Sequence, residues 1–281
     1  MAVGDSHTNE QDPLSDGRSM LAETRRRAIA EALRDTGSVT VAELQARFTV
    51  SAMTARRDLD ELERRGVLRR THGGAVSPTP SAHEDSFARR LEASTTAKER
   101  LAAEAVGLLG ARETVFLDSS TTSYFVARHM LATGMPLTIL TNSLAVMELV
   151  WAEGGPEVEL IGVGGQLRRL TRSFVGPSAV RTIEGHFADR LFLSVKGLTE
   201  SGTMTDADPL EAEVKRTMIA QAGEATLLVD RSKLRVRGLT VVASVAALSG
   251  TLAHGLSPAE SAALQAAGAA LRVIDGTGNG D

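Results

Sequence analysis

Ser51-Ala52-Met53-Thr54-Ala55-Arg56-Arg57-Asp58-Leu59-Asp60-Glu61-Leu62-Glu63-Arg64-Arg65-Gly66 decides how the first part of this 281-residue chain folds. Ser51 is a good N-cap, because its hydroxyl accepts from one of the N–H groups that a helix start leaves unpaired. Ala55, Leu59 and Leu62 recur at helical spacing as a buried stripe, and Gly66 ends the helix. Upstream, Thr40-Val41-Ala42-Glu43 is a capping box that opens a shorter helix with Val41, Leu44 and Phe48 on one face. An earlier helix pattern runs from Arg25 to Asp35, with Ile29 and Leu33 four apart, and Gly37 stops it. Downstream, Val67–Thr71 and Ala75–Ser77 are short β-compatible runs around Gly73-Gly74. Helix, helix–turn–helix and hairpin in this order predict a winged helix–turn–helix over residues 21–77.

The charge agrees with that reading. The whole chain carries a formal net charge of −4, yet residues 21–77 hold eleven Arg against eight acidic residues. Local charge is the better guide to a nucleic-acid partner than the total. The exposed face of the Ser51 helix presents Ala52, Met53, Arg56 and Arg57 in its N-terminal half, where a recognition helix reaches base edges. Arginine grips guanine O6 and N7 with two bonds, and it also holds phosphates. Ala52 and Thr54 are small enough for close approach and for contact with a thymine methyl. Arg69, Arg70 and His72 sit on the hairpin, placed for phosphate or minor-groove contact. The competing reading is that Arg56 and Arg57 pair with Asp60 and Glu61 on a solvated face.

Residues 1–20 lack apolar periodicity and read as a disordered tail. Ser77-Pro78-Thr79-Pro80-Ser81 opens a linker assigned to residues 78–97, because its prolines forbid a helix. A capping box at Thr96-Ala97-Lys98-Glu99 then opens a helix to Leu109. Strand-like runs follow at Thr114–Asp118, Leu137–Thr141, Val158–Val163, Arg190–Val195, Ala225–Asp230, Leu239–Ala243 and Leu271–Ile274, with helical patterns between several of them. Alternating strands and helices predict an α/β domain over residues 98–281, with a mainly parallel sheet covered on both faces. Cysteine is absent, which excludes disulfides and thiol chemistry. The six His are scattered without ligand spacing, so no metal and no cofactor are expected. No apolar run is long enough to span a membrane, and the N-terminus is polar and acidic, so a cytoplasmic protein is expected.

The larger domain contains phosphate-binding grammar. A strand ending at Asp118 runs into Ser119-Ser120-Thr121-Thr122-Ser123 and then a helix, offering free N–H groups and a favourable dipole to an anion. A second strand ends at Thr141-Asn142-Ser143 before another helix. Such strand ends converge at the carboxyl edge of a parallel sheet, where ligands of open α/β folds bind. Gly162-Val163-Gly164-Gly165 reads as a turn with close backbone approach, and Arg168, Arg169 and Arg172 after it read as surface charge. Lys196 and Lys233 each follow a β run, where a lysine can hold a phosphate. Glu211 opens a helix and is four residues from Lys215, which an i,i+4 pair alone would explain.

Val50-Ser51-Ala52-Met53-Thr54-Ala55-Arg56-Arg57-Asp58-Leu59, Leu62-Glu63, Gly66 and Arg70-Thr71-His72-Gly73-Gly74-Ala75 together resemble the signature of the DeoR family of transcriptional regulators. Ala55 stands where that family usually has isoleucine, a core position. Asp118-Ser119-Ser120-Thr121-Thr122, Thr141-Asn142-Ser143, Gly164-Gly165, Phe174-Val175-Gly176-Pro177 and Asp230-Arg231-Ser232-Lys233 are similar to runs of the family's sensor domain. Through it they resemble a wider sugar-phosphate fold that includes ribose-5-phosphate isomerase. The resemblance implies that Ser51 to Arg65 contacts DNA and that the protein is a repressor. It also implies that Asp118, Ser119, Thr121, Thr122, Asn142, Lys196 and Lys233 line a pocket for a phosphorylated sugar or polyol. Gly164 and Glu211 belong to the same candidate set, and Ser120 replaces the family's usual glycine.

The alternative is a sugar-phosphate isomerase fused to a DNA-binding domain, with Glu211 as its general base. Against it, the stretch after Gly197 reads Leu198-Thr199-Glu200-Ser201 and lacks the isomerase's glycine-rich continuation. The expected partners are double-stranded operator DNA, read as a homodimer or homotetramer, and a sugar-phosphate effector.

Overall fold

The structure, a computed structural model, describes residues 13–36, 38–76 and 84–274. The chain divides into two compact units, residues 1–82 and 83–281. The expected stop at Gly37 and the proline-rich run of the linker lie outside the described residues.

In the first unit, helix α1 (Pro13–Thr36) is followed by strand β1 (Ser38–Thr40), helices α2 (Val41–Phe48) and α3 (Ala52–Arg64), and strands β2 (Arg69–Thr71) and β3 (Gly74–Val76). The capping box at Thr40 and Glu43 forms with both of its bonds, and Ser51 caps α3 by accepting from the Thr54 N–H. The helix begins at Pro13, inside the segment expected to be a tail; residues 1–12 lie outside the described ones. Proline at the first helical position has its φ preset, and Arg18, Met20 and Leu21 favour helix, signals that the polar composition hides. The wing has a third strand, in the order β1-β3-β2. Gly74 is required there, since a Cβ would sit 2.0 Å from the Val39 carbonyl oxygen. Ile29, Leu33, Leu44, Ala55, Leu59 and Leu62 form the unit's core.

Asp58 shows how α1 is fixed to α3. Its side chain is 3% exposed and accepts from Arg25 Nε at 2.5 Å and from Arg26 Nε at 3.0 Å. We predict that D58A lowers the stability of this unit by about 2 kcal/mol, because two charged donors lose their acceptor. Differential scanning calorimetry checks this, and an unshifted transition would remove the pair from the fold's support.

The second unit starts well before residue 98. Helices α4 (Phe87–Glu92) and α5 (Thr95–Val106) occupy much of the segment expected to be linker. Ser86 caps α4, the Phe87 side chain is buried, and the Phe87 N–H donates to Leu170 O at 2.8 Å. Helix α5 begins at Thr95, one residue ahead of the expected capping box. Its N-cap Ser94 is left-handed (φ 51°) and makes no side-chain capping bond. The elements that follow are β4 (Thr114–Leu117), α6 (Thr121–Thr133), β5 (Leu137–Thr141), α7 (Leu144–Glu153), β6 (Val158–Gly162), β7 (Gln166–Arg168), β8 (Ser173–Val175), α8 (Pro177–Glu184), β9 (Ala188–Leu193), β10 (Gly197–Leu198), β11 (Thr203–Asp206), α9 (Pro209–Ala220), β12 (Ala222–Asp230), β13 (Thr240–Ser244), β14 (Gly250–His254), α10 (Pro258–Ala266) and β15 (Leu271–Ile274).

Seven strands form a parallel sheet in the order β15-β14-β12-β9-β4-β5-β6. Both faces are buried, as continuous apolar strands require. Val115, Leu117, Ile139 and Phe192 pack with residues of α5, α6 and α7, whereas Phe116, Leu140, Leu191 and Leu193 pack with residues of α8 and α9. From β4 the chain winds outward through β5 and β6, then returns to the other side for β9, β12, β14 and β15. The sheet therefore switches direction between β4 and β9, and a crevice opens beyond their carboxyl ends. The run Leu239–Ala243, expected among the main strands, instead pairs antiparallel with β11 in a separate sheet, β10-β11-β13. Leu239 and Val241 are exposed there, and an antiparallel sheet tolerates one wet face. Strand β14 carries Thr251 and His254 among small residues, so its apolar signal is weak.

Candidate functional site

On α3, Met53 is 65% exposed and Arg56 and Arg57 are exposed, whereas Ala55, Asp58, Leu59 and Leu62 are buried. Ala52 and Thr54 are half-buried beside the Ser51 cap, whose hydroxyl lies 3.0 Å from that of Thr54. Arg56 and Arg57 do not pair with Asp60 and Glu61. Asp60 accepts from Arg70 Nη1 at 2.8 Å, and Glu61 is held by Arg64 and Arg65, which lower its pKa to about 2. Among the described residues, neither Arg56 nor Arg57 has an ion-pair partner. Arg70 is committed elsewhere: it bonds Asp60 and Arg56 O (3.1 Å), and its N–H donates to Glu63, so it braces the wing against α3. Arg69 and His72 remain exposed on the hairpin.

In the second unit, the crevice at the switch point is a cleft of about 360 Å³ with a narrower inner lobe of about 60 Å³. Asp85, Arg90, Thr121, Lys196 and Lys233 line both parts. Lys98 lines the outer part; Ser120, Thr122, Lys215 and Glu84 line the inner lobe. Helix α6 begins at this cleft, with Ser120 accepting from the Ser123 N–H at 3.0 Å. Thr121 and Thr122 carry the first-turn N–H groups that no helix can pair internally.

The cleft is rich in cations. Arg90 has buried Nε and Nη2 atoms with no hydrogen-bond partner among the described residues. Lys98 donates its ammonium to the carbonyls of Arg90 and Ala93, fixing the elbow between α4 and α5. Burial, then repulsion from Lys233, pulls the Lys98 pKa down to about 8, with Asp230 opposing and Arg90 adding to the repulsion. Burial also lowers the Lys233 pKa; Asp230 opposes this, while Arg90, Lys196 and Lys215 reinforce it. Like charges gathered out of water are an arrangement that an anion relieves.

Several sequence candidates stand behind the cleft. Asp118 is fully buried and accepts from the Ser120 N–H (3.1 Å), Ser123 Oγ (2.5 Å) and the Ser194 N–H (3.2 Å). Lys215 Nζ lies 3.3 Å from Asp118 and 2.5 Å from Asp206. These contacts tie the end of β4 to α6, β9 and α9. Burial pulls the Lys215 pKa down, but Asp206, Asp118 and Glu211 override it and hold the pKa above its usual value. Ser119 Oγ donates to Glu211 Oε2 at 3.0 Å. Glu211 also accepts from Ser173 (2.5 Å), Thr171 (2.9 Å) and Arg168 (2.9 Å). Burial would raise the Glu211 pKa, yet Lys215, Arg168 and the two hydroxyls hold it below the ordinary value. Asn142 is buried; its Nδ2 donates to Phe174 O at 2.9 Å, and its Oδ1 has no partner among the described residues. Gly164 is exposed, with open space where a Cβ would go. Gly165 is the constrained one, since a Cβ there would meet Val175 O at 2.6 Å.

Three readings change. Glu211 and Lys215 are more than an i,i+4 pair: both are buried and each bonds other residues, Glu211 through Ser119, Thr171, Ser173 and Arg168 and Lys215 through Asp206 and Asp118. Arg168 is no surface charge: it is 15% exposed and holds Glu84 (2.8 Å), Glu211 (2.9 Å) and Asp208 (3.3 Å). Arg90 and Lys98 escaped sequence reasoning because they fell within or beside the assigned linker. Ser86 as a cap, with Phe87 and Leu91 four apart, was the signal for a helix there. Among the described residues, no acidic or histidine cluster could hold a metal, and no helix is long and apolar enough to cross a membrane.

Residues 25–81 match the family model described as the DeoR-like helix-turn-helix domain, and residues 93–251 match that of the DeoR C terminal sensor domain. An uncharacterized HTH-type transcriptional regulator of Bacillus subtilis strain 168, YulB, is 34% identical over 248 residues, covering 88% of this chain and 94% of that protein. The lactose phosphotransferase system repressor of Streptococcus mutans serotype c is 32% identical, covering 76% of this chain and 85% of its own. Among solved structures, ribose 5-phosphate isomerase A of Methanocaldococcus jannaschii covers 52% of this chain and 57% of its own, at 17% identity and a TM-score of 0.39.

Proposed function

The chain belongs to the DeoR family of transcriptional regulators, and we propose that it represses genes of carbohydrate use through operator DNA read by α3. A phosphorylated sugar or polyol in the cationic cleft modulates that binding. The observation that carries the DNA half is the pair Arg56 and Arg57, exposed on α3 and without ion-pair partners among the described residues, while neighbouring carboxylates are taken. Ser51, Ala52, Met53 and Thr54 shape the approach to base edges, and Arg69 and His72 reach the backbone. Arg70 acts indirectly, by holding the wing. Two heads read a two-fold operator, so the working form is a dimer or tetramer. The repressor reading is supported by the name of the S. mutans relative.

For the effector half, Arg90, Lys98, Lys196 and Lys233 face a phosphate together with the α6 N-terminus. Asp85 and Asp230 in the same cleft accept sugar hydroxyls. Asp118, Ser119, Asn142 and Glu211 position this wall from behind. Glu211 does not act as a base, because it lines neither part of the cleft, accepts from four donors and is held below the ordinary carboxylate pKa, which makes it a weak base. The proposed role of the cleft is sensing, without turnover.

Fluorescence anisotropy with the DNA upstream of the protein's own gene, at physiological salt with random DNA as competitor, tests the first half. Binding that random DNA competes away equally well would overturn it. Inorganic phosphate affinity, measured calorimetrically against pH, tests the second. Lys98 loses its proton as pH rises through about 8, so affinity falls about tenfold across that range, the worth of one charged hydrogen bond. Inorganic phosphate gains its second negative charge near neutral pH, which favours binding to cations, so a fall in affinity above that range comes from the protein. A flat profile would take Lys98 out of the site.

A further inference from the structure

Glu84 is the first described residue of the second unit, two positions after the residue that ends the first. It is buried, and it is among the residues that line the inner lobe of the cleft, with Lys196, Lys215 and Lys233. Arg168 Nη2 donates to Glu84 Oε2 at 2.8 Å, and Arg168 Nη1 donates to Glu211 Oε1 at 2.9 Å. The other oxygen of Glu211 accepts from Ser119, in the loop that opens α6. A continuous run of charge-assisted bonds thus joins the cleft loop to the covalent joint between the units.

We infer that the Ser119–Glu211–Arg168–Glu84 chain carries occupancy of the cleft to the joint, with Glu84 as a latch that an arriving anion weakens. The inference rests on the anion-site reading above. Two arguments support it. Glu84 shares the inner lobe with the cations proposed to hold the anion, so a phosphate there brings negative charge towards the carboxylate. Arg168 also serves Asp208 and Glu211, which are anchored on α9 and at its N-cap. Glu84 is the acid partner nearest the joint. Its release frees Ser86 and Phe87, whose contacts start α4. A latch with closed and open states is the two-state element that coupling between sites requires. Glu84 is a positioning residue in this scheme and does not hold the ligand.

Hydrogen–deuterium exchange on the full-length protein tests it, with inorganic phosphate as the probe. Peptides covering residues 119–124 report the cleft loop, and peptides covering 84–88, which hold the Phe87 N–H bonded to Leu170 O but not the phosphate ligand Arg90, report the latch. In the unaltered protein, phosphate slows exchange in 119–124 and speeds it in 84–88 by about fivefold or more, the lower end of typical couplings. In E84Q, exchange in 84–88 is already fast and phosphate adds nothing, while protection of 119–124 is kept. A merely structural role would not separate the two peptides in this way. If E84Q unfolds, E84D provides the same comparison with a shorter reach. Protection of 119–124 with unchanged or slower exchange in 84–88 would overturn the latch and leave the site standing. No protection of 119–124 would overturn the anion site, and the latch with it.

Discussion

R57A lowers specific operator affinity by about 10- to 100-fold, and R56A does the same, while neither alters phosphate binding by the second unit. The magnitude is that of a two-bond arginine–guanine contact, about 1–3 kcal/mol. Both side chains lie on the exposed face of α3, and among the described residues neither has an ion-pair partner. Arg64 and Arg65 on the same helix are the internal controls. They are already paired with Glu61, and Arg65 also with Glu23, so R64A changes affinity little. The two variants also separate base reading from backbone holding. Loss of a base contact relaxes preference at one operator position, whereas loss of a phosphate contact weakens all sequences alike and lowers the salt slope by about one. Anisotropy titrations on operator and random DNA distinguish these results. Unchanged affinity in both variants would remove α3 as the reading helix.

K233A is the second large effect. It lowers the affinity for a phosphorylated effector by about 10- to 100-fold, because one charged donor is lost from a desolvated site. Operator affinity without effector stays unchanged. Lys233 belongs to the short turn after β12, where Asp230 caps the turn by accepting from the Ser232 N–H at 2.7 Å. The alanine variant therefore keeps the backbone support of the turn. Titration calorimetry with a set of sugar phosphates reads the result, and full affinity in K233A would exclude this residue from the pocket.

The first unit was largely legible in the sequence because its signals are local. Thr40, Ser51 and Gly66 act within a few residues of themselves, and Ala55, Leu59 and Leu62 mark a buried stripe by spacing alone. The partner of Asp58 was not legible, since Arg25 and Arg26 are more than thirty positions away. The second unit shows the same division. The strands that make the switch point could be read from apolar runs. Asp118 and Glu211 could be singled out as unusual, but their burial depends on which helix covers the strand end, which no short window contains. Arg168 resembled surface charge for that reason: its three carboxylate partners come from Glu84, Asp208 and Glu211. The proline-rich run drew the linker too long and hid Arg90 and Lys98. Prolines exclude helix only at and just before themselves, and Ser86 restarts the fold soon after them.

The most direct test of the central claim is the anisotropy of the operator complex while sugar phosphates are titrated in, with the unaltered protein and K233A side by side. One phosphosugar is expected to shift the midpoint of operator binding about fivefold or more in the unaltered protein and to leave K233A unmoved. A complex that no sugar phosphate shifts, or one that shifts equally in K233A, would contradict that claim.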